Sequence, residues 1–236
     1  MSLQTWVVNN GIKGIIRVLC RVDDAALTYV PTSGPLILVV NHINFLDVPL
    51  LYTHLHPRRM TALAKAETWN NPALAFLSNL WGAIPIRRGE ADVQALQRGI
   101  SALQNNYILV IAPEGTRSGS GCLQRGKPGV ALLAAHSGAP ILPLAYYGGE
   151  SFKHNIRRLR RTDFHIAVGA PFHVQVGDKR LNQESRQQIA DEIMYQLAAL
   201  LPPAYRGYYA DLDKATEAYL HFPDTATSSL QRARMA

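Results

Sequence analysis

Two short stretches hold residue types that could carry a reaction. The first is Asn41-His42-Ile43-Asn44-Phe45-Leu46-Asp47. A carboxylate five residues after an imidazole can meet it across a turn. There it would fix the tautomer, orient the ring and stabilise the imidazolium formed when His42 takes a proton. General-base assistance of this kind is typically worth about 10²–10⁴ in rate. The same spacing also fits a plain helix start, with Asn44 as N-cap, Asp47 as the acidic member of a capping box and His42 as a satisfied loop histidine. The second stretch is Pro113-Glu114-Gly115-Thr116-Arg117-Ser118. Gly115 permits a tight turn and close backbone approach to a ligand. Arg117 offers a planar fork suited to a phosphate. Glu114 either holds a ligand hydroxyl or pairs with Arg117, and a solvated loop with an internal ion pair is the plainer alternative.

Each stretch directly follows an aliphatic run, residues 36–40 before the first and 107–112 before the second. Such runs predict strands buried on both faces. In open α/β sheets, ligands gather at the C-terminal ends of the strands. Two further segments accompany them. Residues 82–89 (GAIPIRRG) close a short strand with Arg87 and Arg88, and residues 138–144 (GAPILPL) form a strand entry without a reactive group.

In this order, NHINFLD, GAIPIRRG, PEGTRS and APILPL resemble the four blocks of the glycerolipid acyltransferase family, in particular the 1-acyl-glycerol-3-phosphate (lysophosphatidate) acyltransferases. PEGTRS matches in full. The resemblance implies transfer of a fatty acyl group from acyl-CoA or acyl-carrier protein to the hydroxyl of lysophosphatidate. It implies a single step, with no acyl-enzyme, no metal and no bound cofactor beyond the donor. His42 would deprotonate the acceptor and Asp47 would hold His42. Glu114, Gly115, Thr116 and Arg117 would engage the acceptor phosphate, and Arg87 or Arg88 would add a second contact. The chain departs from the usual family pattern at Ala112, at Ile43-Asn44 and in its short N-terminal helix. Glycerol-3-phosphate, another lysophospholipid or an acylated amino-acid lipid therefore stand as alternative acceptors. A catalytically silent lipid-binding protein on the same fold is the rival class.

The elements that must position these residues follow from periodicity. Strands are expected at 36–40, 60–64, 83–86, 107–112, 141–146, 164–168 and 172–176, and helices at 48–56, 71–81, 91–104, 128–136 and 184–201. Their alternation predicts an α/β fold, a central mostly parallel sheet flanked by helices in a single domain. Residues 6–22 predict an amphipathic helix. Val8, Ile12, Ile15, Ile16 and Leu19 lie on one face, and Lys13, Arg17 and Arg21 on another. Such a helix either lies in a membrane interface or docks on the core. The expected organisation is 1–29 as helix and linker, 30–203 as the acyltransferase domain and 204–236 as a C-terminal extension. That extension is expected to hold a helix near 212–220 and a disordered last dozen residues.

The formal net charge of +7 favours anionic partners. No nucleic-acid-binding motif accompanies it, so lipid headgroups and the donor thioester are the expected partners. Cys20 and Cys122 match no disulfide or metal spacing. No secretory pattern and no spanning-length apolar run is present, which predicts peripheral attachment at the cytoplasmic face of a membrane. Residues 121–128 approach a phosphate-binding loop but end in Pro128, which offers neither hydroxyl nor N–H. No GxSxG nucleophile elbow occurs.

Overall fold

The computed structural model describes residues 3–87, 92–177 and 181–235. The elements in chain order are α1 (Leu3–Leu19), β1 (Cys20–Asp23), β2 (Leu36–Val40), α2 (Asp47–His54), β3 (Met60–Lys65), α3 (Pro72–Leu80), β4 (Ile84–Ile86) and α4 (Val93–Gln104). They continue with β5 (Ile108–Ile111), α5 (Gly129–Ser137), β6 (Ile141–Tyr147), α6 (Phe152–Ile156), β7 (Thr162–Val168), β8 (His173–Val174), α7 (Gln183–Leu200), β9 (Leu220–His221) and α8 (Ser229–Met235). Seven strands form the central sheet in the order β1-β7-β6-β2-β5-β3-β4, and β8 pairs with β9 in a separate ribbon. Every central pairing is parallel except β6 with β7.

Alternation along the strands splits the core in two, because successive side chains point to opposite faces. Ile37, Val39, Leu109, Ile111 and Ile141 face α4, α5 and α7, where they meet Leu103, Leu133, Ile189, Ile193 and Leu197. Leu36, Leu38, Val40, Ile108, Val110 and Leu142 face α1 and α2, where they meet Ile16, Leu50 and Leu51. At the N-terminal edge of the strands the Arg58 guanidinium donates to the carbonyls of Pro31, Gly34 and Asn106. It thereby ties the turn before β2 to the turn before β5.

The structure corrects three expectations. The helix expected over 6–22 ends at Leu19, and the chain passes directly into β1, which pairs in parallel with β7. The apolar face expected on that helix also divides: Ile12, Ile16 and Leu19 pack on the core, whereas Ile15 points outward with Leu3, Trp6, Val7 and Val18. α1 is therefore apolar on two sides.

The third correction concerns the tail. A short 3₁₀ turn at Leu212–Lys214 and the strand β9 replace the helix expected near 212–220. The last residues, expected to be disordered, form α8. Two buried polar side chains of α7 explain that order. Glu192 accepts from Thr216 Oγ1 and from the amides of Ala218 and Tyr219, and Gln196 accepts from the Ser229 amide. Leu230 then sits 1% exposed against the body. Leu230→Ala is expected to lower unfolding stability in urea by about 2–5 kcal/mol, the usual range for a buried leucine. A loss below about 0.5 kcal/mol, typical of surface positions, would contradict a packed tail.

Candidate active site

β2 and β5 run side by side with Leu36 opposite Ile108 and Val39 opposite Ile111. Their C-terminal ends therefore deliver residues 41–47 and 112–119 to the same edge of the sheet. β6 lies on the other side of β2. Asn41, fully buried, clasps its backbone: Nδ2 donates to the Tyr146 carbonyl at 2.9 Å, and Oδ1 accepts from the Tyr146 amide at 2.7 Å.

His42 follows. Its Nδ1 lies 2.8 Å from Asp47 Oδ2, and the same oxygen accepts from the amides of Ile43 at 2.7 Å and Asn44 at 3.0 Å. The anticipated capping box is made only in part: Asp47 Oδ2 takes the Asn44 amide as such a box would, but α2 begins at Asp47 itself, with Leu46 before it, and the same oxygen also holds the imidazole. Asp47 is 2% exposed, and its Oδ1 is buried without a hydrogen-bond partner among the described residues. The His42 side chain retains 20% exposure, and its Nε2 has no hydrogen-bond partner among the described residues. With Nδ1–H held by the carboxylate, Nε2 is the nitrogen able to accept a proton. Asn44 steadies the loop further: Oδ1 accepts from the Leu46 amide, and Nδ2 donates to the Gly149 carbonyl.

The second loop is knitted to the first. Ser118 N donates to the His42 carbonyl at 2.8 Å and Gly119 N to the Ile43 carbonyl at 3.2 Å. Glu114 is 2% exposed and spans both loops, Oε1 accepting from the His42 amide and Oε2 from the Gln124 amide, each at 2.9 Å. A carboxylate used in this way braces backbone rather than offering a free oxygen to a ligand. Burial pushes its pKa up to about 7, against the opposing pull of the two amides and of His42.

Gly115 adopts φ +69, a left-handed turn that other residues enter at a cost. A Cβ there would lie 3.1 Å from Lys127 Cε and Nζ, so the Lys127 ammonium overlies this turn. Lys127 is exposed, and its approach to Gly115 is a tertiary contact with no local signal in the sequence. Thr116 and Arg117 are exposed at the tip, and Arg117 makes no ion pair among the described residues. His42, Asp47, Glu114, Gly115, Thr116 and Arg117 therefore converge at one edge. Arg87 directly follows β4, three strands from β2 or roughly 14 Å across the sheet, with its amide on Asp92 Oδ2. Arg88 lies outside the described residues. Among the described residues no three His, Cys, Asp or Glu side chains converge as metal ligands do.

Residues 21–147 match the family described as Acyltransferase. The chain is 26% identical over 179 residues to a chloroplastic 1-acyl-sn-glycerol-3-phosphate acyltransferase of Brassica napus, covering 73% of this chain and 51% of the relative. It is 33% identical over 112 residues to a lyso-ornithine lipid O-acyltransferase of Pseudomonas aeruginosa, covering 47% and 42%. The chain thus spans about half the length of the Brassica relative. In fold it resembles the crystal structure of the 1-acyl-sn-glycerophosphate acyltransferase of Thermotoga maritima, with a TM-score of 0.59 and 20% identity over 80% of this chain and 76% of that one.

Glu114 gives a pH test. Its folded pKa lies above the ordinary value of 4.5, at about 7. Between those values the unfolded chain releases the proton first. The stability this group contributes is therefore complete below pH 4.5 and is lost as pH rises through 7. Glu114→Gln should flatten the pH dependence of the urea midpoint across that window. It should also lower stability by about 1–3 kcal/mol, because its NH₂ faces an amide donor. An unchanged pH slope would count against a protonated buried Glu114.

Proposed function

Because the chain belongs to the Acyltransferase family, we propose that it moves a fatty acyl group from an acyl thioester, acyl-CoA or acyl-carrier protein, onto the free hydroxyl of lysophosphatidate. The observation that carries this reading is the His42 Nδ1–Asp47 Oδ2 pair on a loop knitted to the Gly115 turn. Acceptor phosphate held by Arg117, with Lys127 beside it, brings the hydroxyl towards His42 Nε2. His42 takes the hydroxyl proton as the oxygen attacks the thioester carbonyl. Asp47 stabilises the resulting imidazolium. The tetrahedral intermediate collapses with cleavage of the C–S bond, and the proton passes from Nε2 to the departing thiolate. Products are the ester and the free thiol. Holding the acceptor at both ends supplies several kcal/mol of barrier reduction through positioning alone. Glu114 acts by bracing the two loops. Arg87, farther along the edge, is the candidate for a second anionic contact.

The relationship to the Pseudomonas enzyme favours a second acceptor, lyso-ornithine lipid. Both acceptors present a hydroxyl and an anionic group, phosphate in one and carboxylate in the other. Each suits a guanidinium.

Attachment to the membrane is proposed to be peripheral. No described helix is long and apolar enough to cross a bilayer. The outward face of α1, with Trp6, Val7, Ile15 and Val18 beside Lys13 and Arg17, has the composition of an interfacial helix. The cytoplasmic face is the proposed side.

Purified protein mixed with acyl-CoA and a panel of lysophosphatidate, lyso-ornithine lipid and glycerol-3-phosphate should release thiol and form one preferred acylated product by mass spectrometry. His42→Ala and Asp47→Asn should each lower kcat by about 10²–10⁴ while leaving the fold intact. Equal turnover by wild type and His42→Ala would sink the mechanism.

A further inference from the structure

The connection between β6 and β7 is the most basic stretch of the chain. Lys153, Arg157, Arg158, Arg160 and Arg161 fall within nine residues, and no Asp or Glu lies between 152 and 162. It is an ordered platform. Arg158 N and Arg160 N both donate to the Asn155 carbonyl, Leu159 N to the Ile156 carbonyl, and Asn155 Nδ2 to Thr162 Oγ1. Lys153, Arg157, Arg158 and Arg160 are exposed and make no ion pair among the described residues.

At the tip stands Leu159, 97% exposed, with φ +53. A left-handed backbone costs a leucine about 1 kcal/mol that glycine or asparagine would avoid. The backbone bonds that close α6 offset part of that cost, but a glycine or asparagine would make the same bonds. The leucine side chain, 97% exposed, packs on nothing in the folded chain. Ile156, one turn earlier, is also exposed. An apolar tip ringed by four free cations matches one environment, the boundary between anionic headgroups and acyl chains.

The position of the platform fits that partner. β6 and β7 are antiparallel, so their connection lies at the edge where β6 ends, the edge of His42. Phe152 packs edge-on against Phe45 of the catalytic loop at 5.7 Å, and Gly149 accepts from Asn44. At its other end Arg161 Nη2 donates to the carbonyls of Arg17 and Cys20, fastening the platform to the last turn of α1.

We propose that residues 153–160 form an anionic-lipid docking surface, with Leu159 inserted below the headgroups, that seats the catalytic edge on the bilayer. This deepens the peripheral-membrane reading above and rests on it. Arg161 is excluded from the docking set because its guanidinium is spent on α1.

The test uses the full chain and vesicles of phosphatidylcholine alone or with 30 mole per cent (about one lipid in three) phosphatidylglycerol, at low salt. The combined variant Lys153→Gln, Arg157→Gln, Arg158→Gln and Arg160→Gln should lose at least about a hundredfold in partition to the anionic vesicles, on the order of fivefold per cation. Leu159→Asn should lower partition several-fold without lowering the thermal midpoint, since asparagine tolerates φ +53. Both variants should turn over a short-chain, water-soluble acceptor as wild type does, and lose turnover of vesicle-embedded acceptor in step with partition. Wild-type partition by the four-site variant overturns the proposal. So does a variant that still binds vesicles but loses turnover with an acyl-carrier-protein donor in their absence, which assigns the surface to an acidic protein. If wild type acylates no soluble acceptor, the acyl-transfer reading fails, while vesicle partition still judges the docking surface.

Discussion

A single carboxylate oxygen organises the edge of the sheet that carries His42. Asp47 Oδ2 receives the His42 ring and the amides of Ile43 and Asn44 together. Each donor alone contributes modestly, but their convergence on a buried charge makes the loop and the ring orientation one unit. The loop cannot open without stranding that charge, and the ring cannot turn without losing it. Helix α2 begins at this same residue, so the packing of Leu50 and Leu51 beneath the sheet fixes where the oxygen sits.

The rest of the molecule serves to bring a second loop to that unit. Parallel pairing of β2 with β5 sets the two loops side by side. Glu114 then spans them with both its oxygens. Two buried carboxylates thus have different tasks. Asp47 faces the imidazole, whereas Glu114 touches only backbone. The environment of Glu114, in which burial outweighs its two amides, raises its proton affinity.

Much of this arrangement was legible in the chain. The aliphatic run Leu36–Val40 marked β2 to the residue, because a strand buried on both faces leaves no alternation to misread. The helix expected over 71–81 appears as α3, where Asn71 Oδ1 caps the amides of Ala73 and Leu74. The His42–Asp47 spacing and the Gly115 turn were legible too, since both are local. What failed was non-local. β1 continues the helical stretch without a breaker, and only pairing with β7 makes it a strand. The tail is ordered by Glu192 and Gln196, polar residues on a helix whose partners lie more than twenty residues away. Glu114 looked like a ligand group because its type and loop position suited one. Its two amide partners belong to other segments.

The Arg58 clasp lies at the opposite pole from His42. One guanidinium sews together the turns that precede β2 and β5, so the pairing of these two central strands is secured away from the His42 edge. Substitutions that reshape the open pole leave that seam untouched. Tip residues of the exposed loops can accordingly be exchanged without disturbing the scaffold beneath them. For protein engineers, the tips beside Thr116 and Arg117 are the place to graft diversity, and the Arg58 seam is the place to leave alone.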